Sequence, residues 1–81
     1  VYMRGNAADY DEWRQRGCEG WDYQSVLPYF KRAEDQERGA DEFHGTGGPL
    51  KVQDHRWQPT LARAMHDAAV QAGIPANPDF N

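Results

Sequence analysis

The sequence predicts a mainly helical α+β fold with about three helices and one short strand. Capping residues and amphipathic spacing mark the helices, and the clearest pattern runs over residues 60–73. A glycine-rich stretch followed by a short apolar segment indicates a loop that leads into the strand. These features divide the chain into a helical segment (1–38), a glycine-rich loop with a strand (39–59), and a helix with a return loop (60–81).

Two capped patterns predict the first two helices. Asn6 is a favourable N-cap for a helix over residues 7–16. Asp22 opens the second helix, in which Pro28 predicts a kink or a restart because its ring disfavours a continuous helix. The mixed-charge run that follows, up to Arg38, is typical of a solvated helix end.

The core is expected to be built from rings, because large aliphatic side chains are scarce whereas aromatic residues make up 12% of the chain. The candidates for this aromatic core are Tyr10, Trp13, Trp21, Tyr29 and Phe30.

Residues 45–49 are typical of a turn, and residues 50–53 are long enough for one short strand. A lone strand leaves its backbone groups unpaired. We therefore expect it to pair with a strand outside this chain or with a second copy. The isolated chain would either self-associate through this strand or leave it solvated and mobile.

The third helix has the most regular apolar face. Its face residues follow the spacing of a single helix side: Leu61, Ala64, Met65, Ala68 and Ala72. Gly73 followed by the apolar Ile74 predicts a left-handed C-cap.

Composition excludes several classes of protein. The net charge of −4 and the absence of a Lys/Arg cluster argue against a nucleic-acid partner. The single cysteine excludes an internal disulfide framework. No apolar stretch approaches the roughly 20 residues of a transmembrane helix. We expect a cytoplasmic protein.

No motif identifies a catalytic or metal site. His44, His55 and His66 lack the spacing that places two ligands on one helix face, so we interpret them as surface or capping residues. The glycine-rich stretch lacks the GxGxxG pattern and the closing Lys-Ser/Thr of phosphate loops. Cys18 has no neighbouring base in the sequence.

The sequence motifs along the whole chain resemble those of the glucose-methanol-choline (GMC) family of FAD-dependent oxidoreductases. The matching pieces occur in the family's order and at similar spacing: Tyr2-Met3-Arg4-Gly5, Ala8-Asp9-Tyr10-Asp11-Glu12-Trp13, Gly20-Trp21, Val26-Leu27-Pro28-Tyr29-Phe30, Glu34-Asp35, Phe43-His44-Gly45, Gly47-Gly48-Pro49-Leu50-Lys51-Val52 and Asp79-Phe80-Asn81. The resemblance implies an internal fragment from the FAD-binding and substrate-domain region of a larger flavoenzyme. That parent would oxidise a primary alcohol to an aldehyde, and choline, aliphatic and aryl alcohols all fit.

The resemblance also implies where this chain meets the cofactor. Val1 would contact the isoalloxazine ring through its backbone, Tyr2 would lie behind it, and residues 79–81 would return toward the active site. The family's GxGxxG element and its catalytic His have no counterpart here, so we assign no catalytic residue and no metal ligand. We expect the isolated chain to be inactive and to bind no FAD, with the remainder of the parent as its partner. Peripheral membrane association of that parent stays open.

A second hypothesis comes from another class of protein. A small acidic helical module that binds a protein partner through its aromatic face would explain the missing catalytic site. It would not explain the unpaired strand at residues 50–53 or the GMC family motifs at both ends of the chain.

Overall fold

A computed structural model describes residues 2–81, and it confirms the predicted class, a mainly helical α+β arrangement with three helices. It also contains a second short strand that the sequence did not predict. The elements, in chain order, are α1 (Ala7–Gln15), α2 (Tyr23–Ala33), β1 (Glu34–Gln36), β2 (Leu50–Val52) and α3 (Thr60–Gln71).

The predicted caps of α1 and α2 are confirmed. The side chain of Asn6 accepts a hydrogen bond from the N–H of Ala8 at 3.1 Å. Asp22 accepts from the N–H of Ser25 at 3.2 Å and from its hydroxyl at 2.9 Å. The predicted restart at Pro28 does not occur, because α2 continues through it as one helix. A proline removes a single helical hydrogen bond, and burial of the adjacent Leu27 holds the helix against the fold.

The two strands pair in parallel, with Asp35 opposite Lys51. The predicted strand at residues 50–53 is confirmed over Leu50–Val52, but the expectation that its partner lies outside the chain or in a second copy is wrong. The partner is β1, in the run interpreted from the sequence as a solvated helix end. That interpretation fails because Glu34 is fully buried against tertiary partners that no local pattern reveals.

The glycine-rich loop covers the second edge of β1. The N–H of Gln36 donates to the carbonyl of Gly45 at 2.9 Å, and the N–H of Gly48 donates to the carbonyl of Glu34 at 3.0 Å. A Cβ on Gly45 would collide with the backbone of Lys31, and one on Gly48 would lie 2.5 Å from the backbone carbonyl of Ala33. These glycines therefore allow the loop to lie directly on the end of α2.

The aromatic core prediction is largely wrong. The buried apolar side chains among residues 2–81 are Val26 and Leu27, each 8% exposed. Tyr10 and Phe30 are half-buried in edge-to-face contact at 5.7 Å. The other candidates lie on the surface, with exposures of 47% for Trp13, 53% for Trp21 and 62% for Tyr29. The physical reason is that α1 packs against α2, and no further helix or strand of the described chain packs extensively against α1.

Helix α3 ends as predicted. Gly73 adopts φ +93°, and the N–H of Ile74 donates to the carbonyl of Ala69 at 3.0 Å, which is the Schellman arrangement. Its predicted inner face is exposed instead, with Leu61 at 72% and Met65 at 66%. Within residues 2–81 no part of the fold covers this face. None of the three helices is both long and apolar enough to cross a membrane.

Candidate functional site

The one residue that we assigned to cofactor contact, Val1, lies outside the residues that the structure describes. Its neighbour Tyr2 is half-buried, and its hydroxyl donates to the carbonyl of Phe30 at 3.4 Å. Three positions after Val1, the chain enters a cluster of ionisable side chains, three of them buried and one partly exposed, that we call the Glu34 cluster. It consists of Arg4, Glu34, His44 and Asp79.

The centre of the cluster is the ion pair between Arg4 and Glu34. Nη2 of Arg4 lies 2.5 Å from Oε2 of Glu34, and the two side chains are 1% and 0% exposed. The other terminal nitrogen of Arg4 donates to the carbonyl of Phe43. The guanidinium also lies 5.6 Å from the centre of the Phe30 ring. This pair attaches the N-terminal segment to β1.

His44 is the second partner of Glu34, which corrects its interpretation as a surface or capping residue. The residue is 4% exposed, and its Nδ1 lies 3.0 Å from Oε1 of Glu34. On the other side of the ring, Nε2 lies 2.7 Å from Oδ2 of Asp79. The N–H of Gly45 and the side-chain amide of Gln36 complete the donors to Glu34, at 3.0 and 3.3 Å.

Asn81 closes the cluster into a ring of hydrogen bonds. Its N–H donates to Oδ1 of Asp79 at 2.9 Å, and its Oδ1 accepts from the N–H of Arg4 at 3.3 Å. Its side-chain amide also donates to the carbonyl of Tyr2. Residues 2–4 and 79–81 therefore lie side by side. The family resemblance implies that both segments lie near the active site, and the structure joins them to each other through Glu34 and Asn81.

Two exposed ion pairs lie beside the cluster. Arg38 binds Asp54 in a bidentate manner, with Nε and Nη2 at 3.1 and 2.6 Å from the two carboxylate oxygens. It also donates to the carbonyl of Pro78 at 3.0 Å. The hydrogen bond from Arg38 holds the pKa of Asp54 below its ordinary value, and that from Arg56 does the same for the pKa of Glu37. Both pairs join residues that follow β1 to residues that follow β2, and Arg38 also contacts the return loop.

The other two histidines stay on the surface. His55 and His66 line an open groove of about 550 Å³ together with Trp57. Nδ1 of His66 lies 3.5 Å from Oδ1 of Asp67, and both side chains are mostly exposed. Over residues 2–81, no three His, Cys, Asp or Glu side chains are grouped so that they could hold a metal ion.

The glycine-rich loop does not fit the phosphates of a dinucleotide. The glycine-rich loop has its N–H groups engaged, that of Gly45 by Glu34 and that of Gly47 by Asp35, both at 3.0 Å. It approaches the backbone of α2 too closely to leave room for a phosphate, and it is followed by β2 instead of a helix.

Sequence reasoning missed all four members of the Glu34 cluster as a site. One available signal was the position of Glu34. It directly follows the helical pattern that ends at Ala33, in the run that we interpreted as a solvated helix end. Another was Asp41, whose carboxylate accepts from the N–H of His44 at 2.7 Å and so turns the loop inward. Neither signal identifies the partners, which lie 30 and 10 positions away from Glu34.

Comparison with known proteins identifies the family. The profile of the GMC oxidoreductase family matches residues 1–81, so the chain belongs to this family of oxidoreductases. Among its relatives is the oxygen-dependent choline dehydrogenase of Vibrio vulnificus, which is 46% identical over 83 residues. The enzyme of that name from Photobacterium profundum is 48% identical over 84 residues. The mitochondrial choline dehydrogenase of Homo sapiens is 43% identical over 81 residues.

These matches cover 100% of the chain but only 14–15% of the relatives. The chain therefore corresponds to a fragment of them. The resemblance noted from the sequence is confirmed at the level of the family.

Proposed function

We propose that this chain is an internal segment of an FAD-dependent oxidoreductase that converts a primary alcohol to an aldehyde, with choline as the substrate. The observation that carries the proposal is the 43–48% identity to proteins named choline dehydrogenase over the entire chain. Aliphatic and aryl alcohols are the alternative substrates.

The segment acts as a scaffold in this enzyme. The ionisable side chains of the Glu34 cluster contact one another, and we assign none of them a role as base or nucleophile. FAD is held by the rest of the enzyme, which also supplies the catalytic base. Val1 meets the flavin ring through its backbone, and the Glu34 cluster fixes the chain that leads away from it.

Exposed apolar surfaces support the proposal that this segment packs inside a larger protein. The apolar face of α3 is exposed at Leu61 and Met65, and Leu50 of β2 is 43% exposed. Apolar patches of this kind mark contact surfaces. We assign them to the remainder of the enzyme, which we place in the cytoplasm. The hypothesis of an independent binding module has no comparable support, since the family profile spans the whole chain.

The full-length protein that carries this chain provides the test. After purification, its visible spectrum is recorded before and after anaerobic addition of choline, and then with a straight-chain alcohol and with benzyl alcohol. We expect a flavin spectrum that is bleached by choline. Bleaching by the other alcohols alone would overturn choline as the substrate, whereas a protein without flavin would overturn the proposal as a whole.

A further inference from the structure

The side chain of Asn81 binds the backbone of the N-terminal segment at two points. Its Nδ2 donates to the carbonyl of Tyr2, and its Oδ1 accepts from the N–H of Arg4 at 3.3 Å. The two bonds lie on either side of Met3, in the way that a paired strand bonds to its neighbour. A single carboxamide therefore fixes the path of the backbone through residues 2–4.

The loop that carries Asn81 is itself held by hydrogen bonds. The N–H of Asn81 donates to Oδ1 of Asp79 at 2.9 Å, and the N–H of Asp79 donates to Oδ1 of Asn77 at 3.1 Å, so that two turns follow each other. The carbonyl of Pro78 accepts from the side chain of Arg38 at 3.0 Å, which joins the loop to the chain after β1. Asn81 thus presents its amide from an anchored backbone.

The site at position 81 requires both ends of the amide. A backbone carbonyl can only accept and a backbone N–H can only donate, so the side chain between them must offer one donor and one acceptor. Aspartate has the shape of asparagine but lacks the donor, and alanine lacks both groups. Asn77 lies in the same loop, but its hydrogen bond stays within the loop. It provides a matched comparison for Asn81.

We propose that Asn81 is a positioning residue, which holds residues 2–4 against the return loop and thereby fixes Val1, the residue directly before them, beside the flavin. The contact of Val1 with the flavin rests on the proposed function, whereas the hydrogen bonds of Asn81 do not. Without this amide, the carbonyl of Tyr2 and the N–H of Arg4 lose their shared partner and the segment shifts. A small shift next to the reacting groups slows the reaction even when the substrate still binds.

Amide hydrogen exchange in the full-length protein tests the hydrogen bonds without reference to flavin. In Asn81→Ala the N–H of Arg4 loses its acceptor, so we expect its exchange to accelerate by roughly tenfold or more. Asn77→Ala removes an asparagine from the same loop and should leave the exchange of Arg4 unchanged. Unchanged exchange in Asn81→Ala, or equal acceleration in the two variants, would overturn the proposal.

Anaerobic reduction of the flavin in the full-length enzyme tests the positioning role. The variant is Asn81→Asp, which keeps the shape and the acceptor but cannot donate to Tyr2, and Asn77→Asp is its control. At a saturating concentration of the alcohol that bleaches the unmodified enzyme, we expect reduction to be roughly tenfold slower in Asn81→Asp, with the half-saturating concentration changed less than about threefold. Asn77→Asp should behave like the unmodified enzyme.

The two measurements separate this inference from the proposed function. Accelerated exchange together with an unchanged rate of reduction in Asn81→Asp would overturn the positioning role of Asn81 and leave the proposed function intact. An unmodified protein without flavin would overturn the proposed function, and with it the link from Asn81 to Val1.

Discussion

Arg4 and Glu34, 30 positions apart, form a buried ion pair with a nitrogen–oxygen distance of 2.5 Å. The rings of Tyr2 and Phe30 lie 5.4 and 5.6 Å from the guanidinium and exclude water from it. A charge in such a setting is tolerated only with its partner in place. The pair is therefore the point at which the N-terminal segment, α2 and β1 are joined.

Glu34→Gln should destabilise the full-length protein by about 3–5 kcal/mol, because Arg4 would keep a buried charge without a carboxylate. The apparent free energy of unfolding in urea measures the effect. In the double variant that adds Arg4→Met, the loss should be smaller than the sum of the two single losses, since the residues are in contact. Strictly additive losses would show that the two side chains do not interact.

Gly45→Ala should destabilise the protein by about 3 kcal/mol or more, because the new Cβ collides with the backbone of Lys31 and neither chain can move aside. Gly47 is the matched control. It has φ +79° and open space around it, so Gly47→Ala should lose only about 1–2 kcal/mol from backbone strain. Thermal unfolding of both variants shows which of them is less stable. A smaller loss of stability for Gly45→Ala than for Gly47→Ala would contradict the close approach of the loop to α2.

Leu27→Ala should be more destabilising than Trp13→Ala, even though the tryptophan is the larger side chain. Leu27 is 8% exposed, and its truncation should lose about 2–5 kcal/mol. Trp13 is 47% exposed and has edge-on contacts with Tyr10 and Trp21, so we expect about 1–2 kcal/mol. Urea unfolding of the two variants tests the order. A larger loss for Trp13→Ala in the full-length protein would indicate that the remainder of the enzyme covers this ring.

Acid should weaken the ion pair between Arg38, which follows β1, and Asp54, which follows β2. Arg38 lowers the pKa of Asp54, so the folded protein holds this carboxylate ionised more strongly than the unfolded chain does. The contribution is present above the ordinary aspartate pKa of about 4 and is lost as the pH falls through the lowered value. Asp54→Asn should flatten the dependence of the urea midpoint on pH in this acidic range. An unchanged slope would exclude the pair as a contributor.

The isolated 81-residue chain should bind no FAD, because its sequence lacks the GxGxxG pattern and the N–H groups of Gly45 and Gly47 are already engaged. Titration with FAD, followed by quenching of flavin fluorescence, measures this. The flavin-free full-length protein is the positive control. Micromolar binding by the isolated chain would reveal a cofactor site in these residues.

Local sequence signals predicted those parts of the fold that depend on neighbours in the chain. The caps at Asn6 and Asp22, the glycine end of α3 and the strand at Leu50–Val52 each rest on residues within a few positions. These features depend on local backbone hydrogen bonds and on helix periodicity. A short stretch of sequence is therefore enough to predict them. The family resemblance was likewise readable from the order of the motifs.

Only the tertiary structure decided that Glu34–Gln36 form a strand and that His44 is buried. A glutamate in a charged run and a histidine in a glycine loop are both typical of the surface. Here Glu34 is buried because Arg4 supplies the opposite charge, and His44 is buried because its ring contacts the carboxylate of Glu34. Such a site depends on pairings between distant positions, and no periodicity within one segment specifies them.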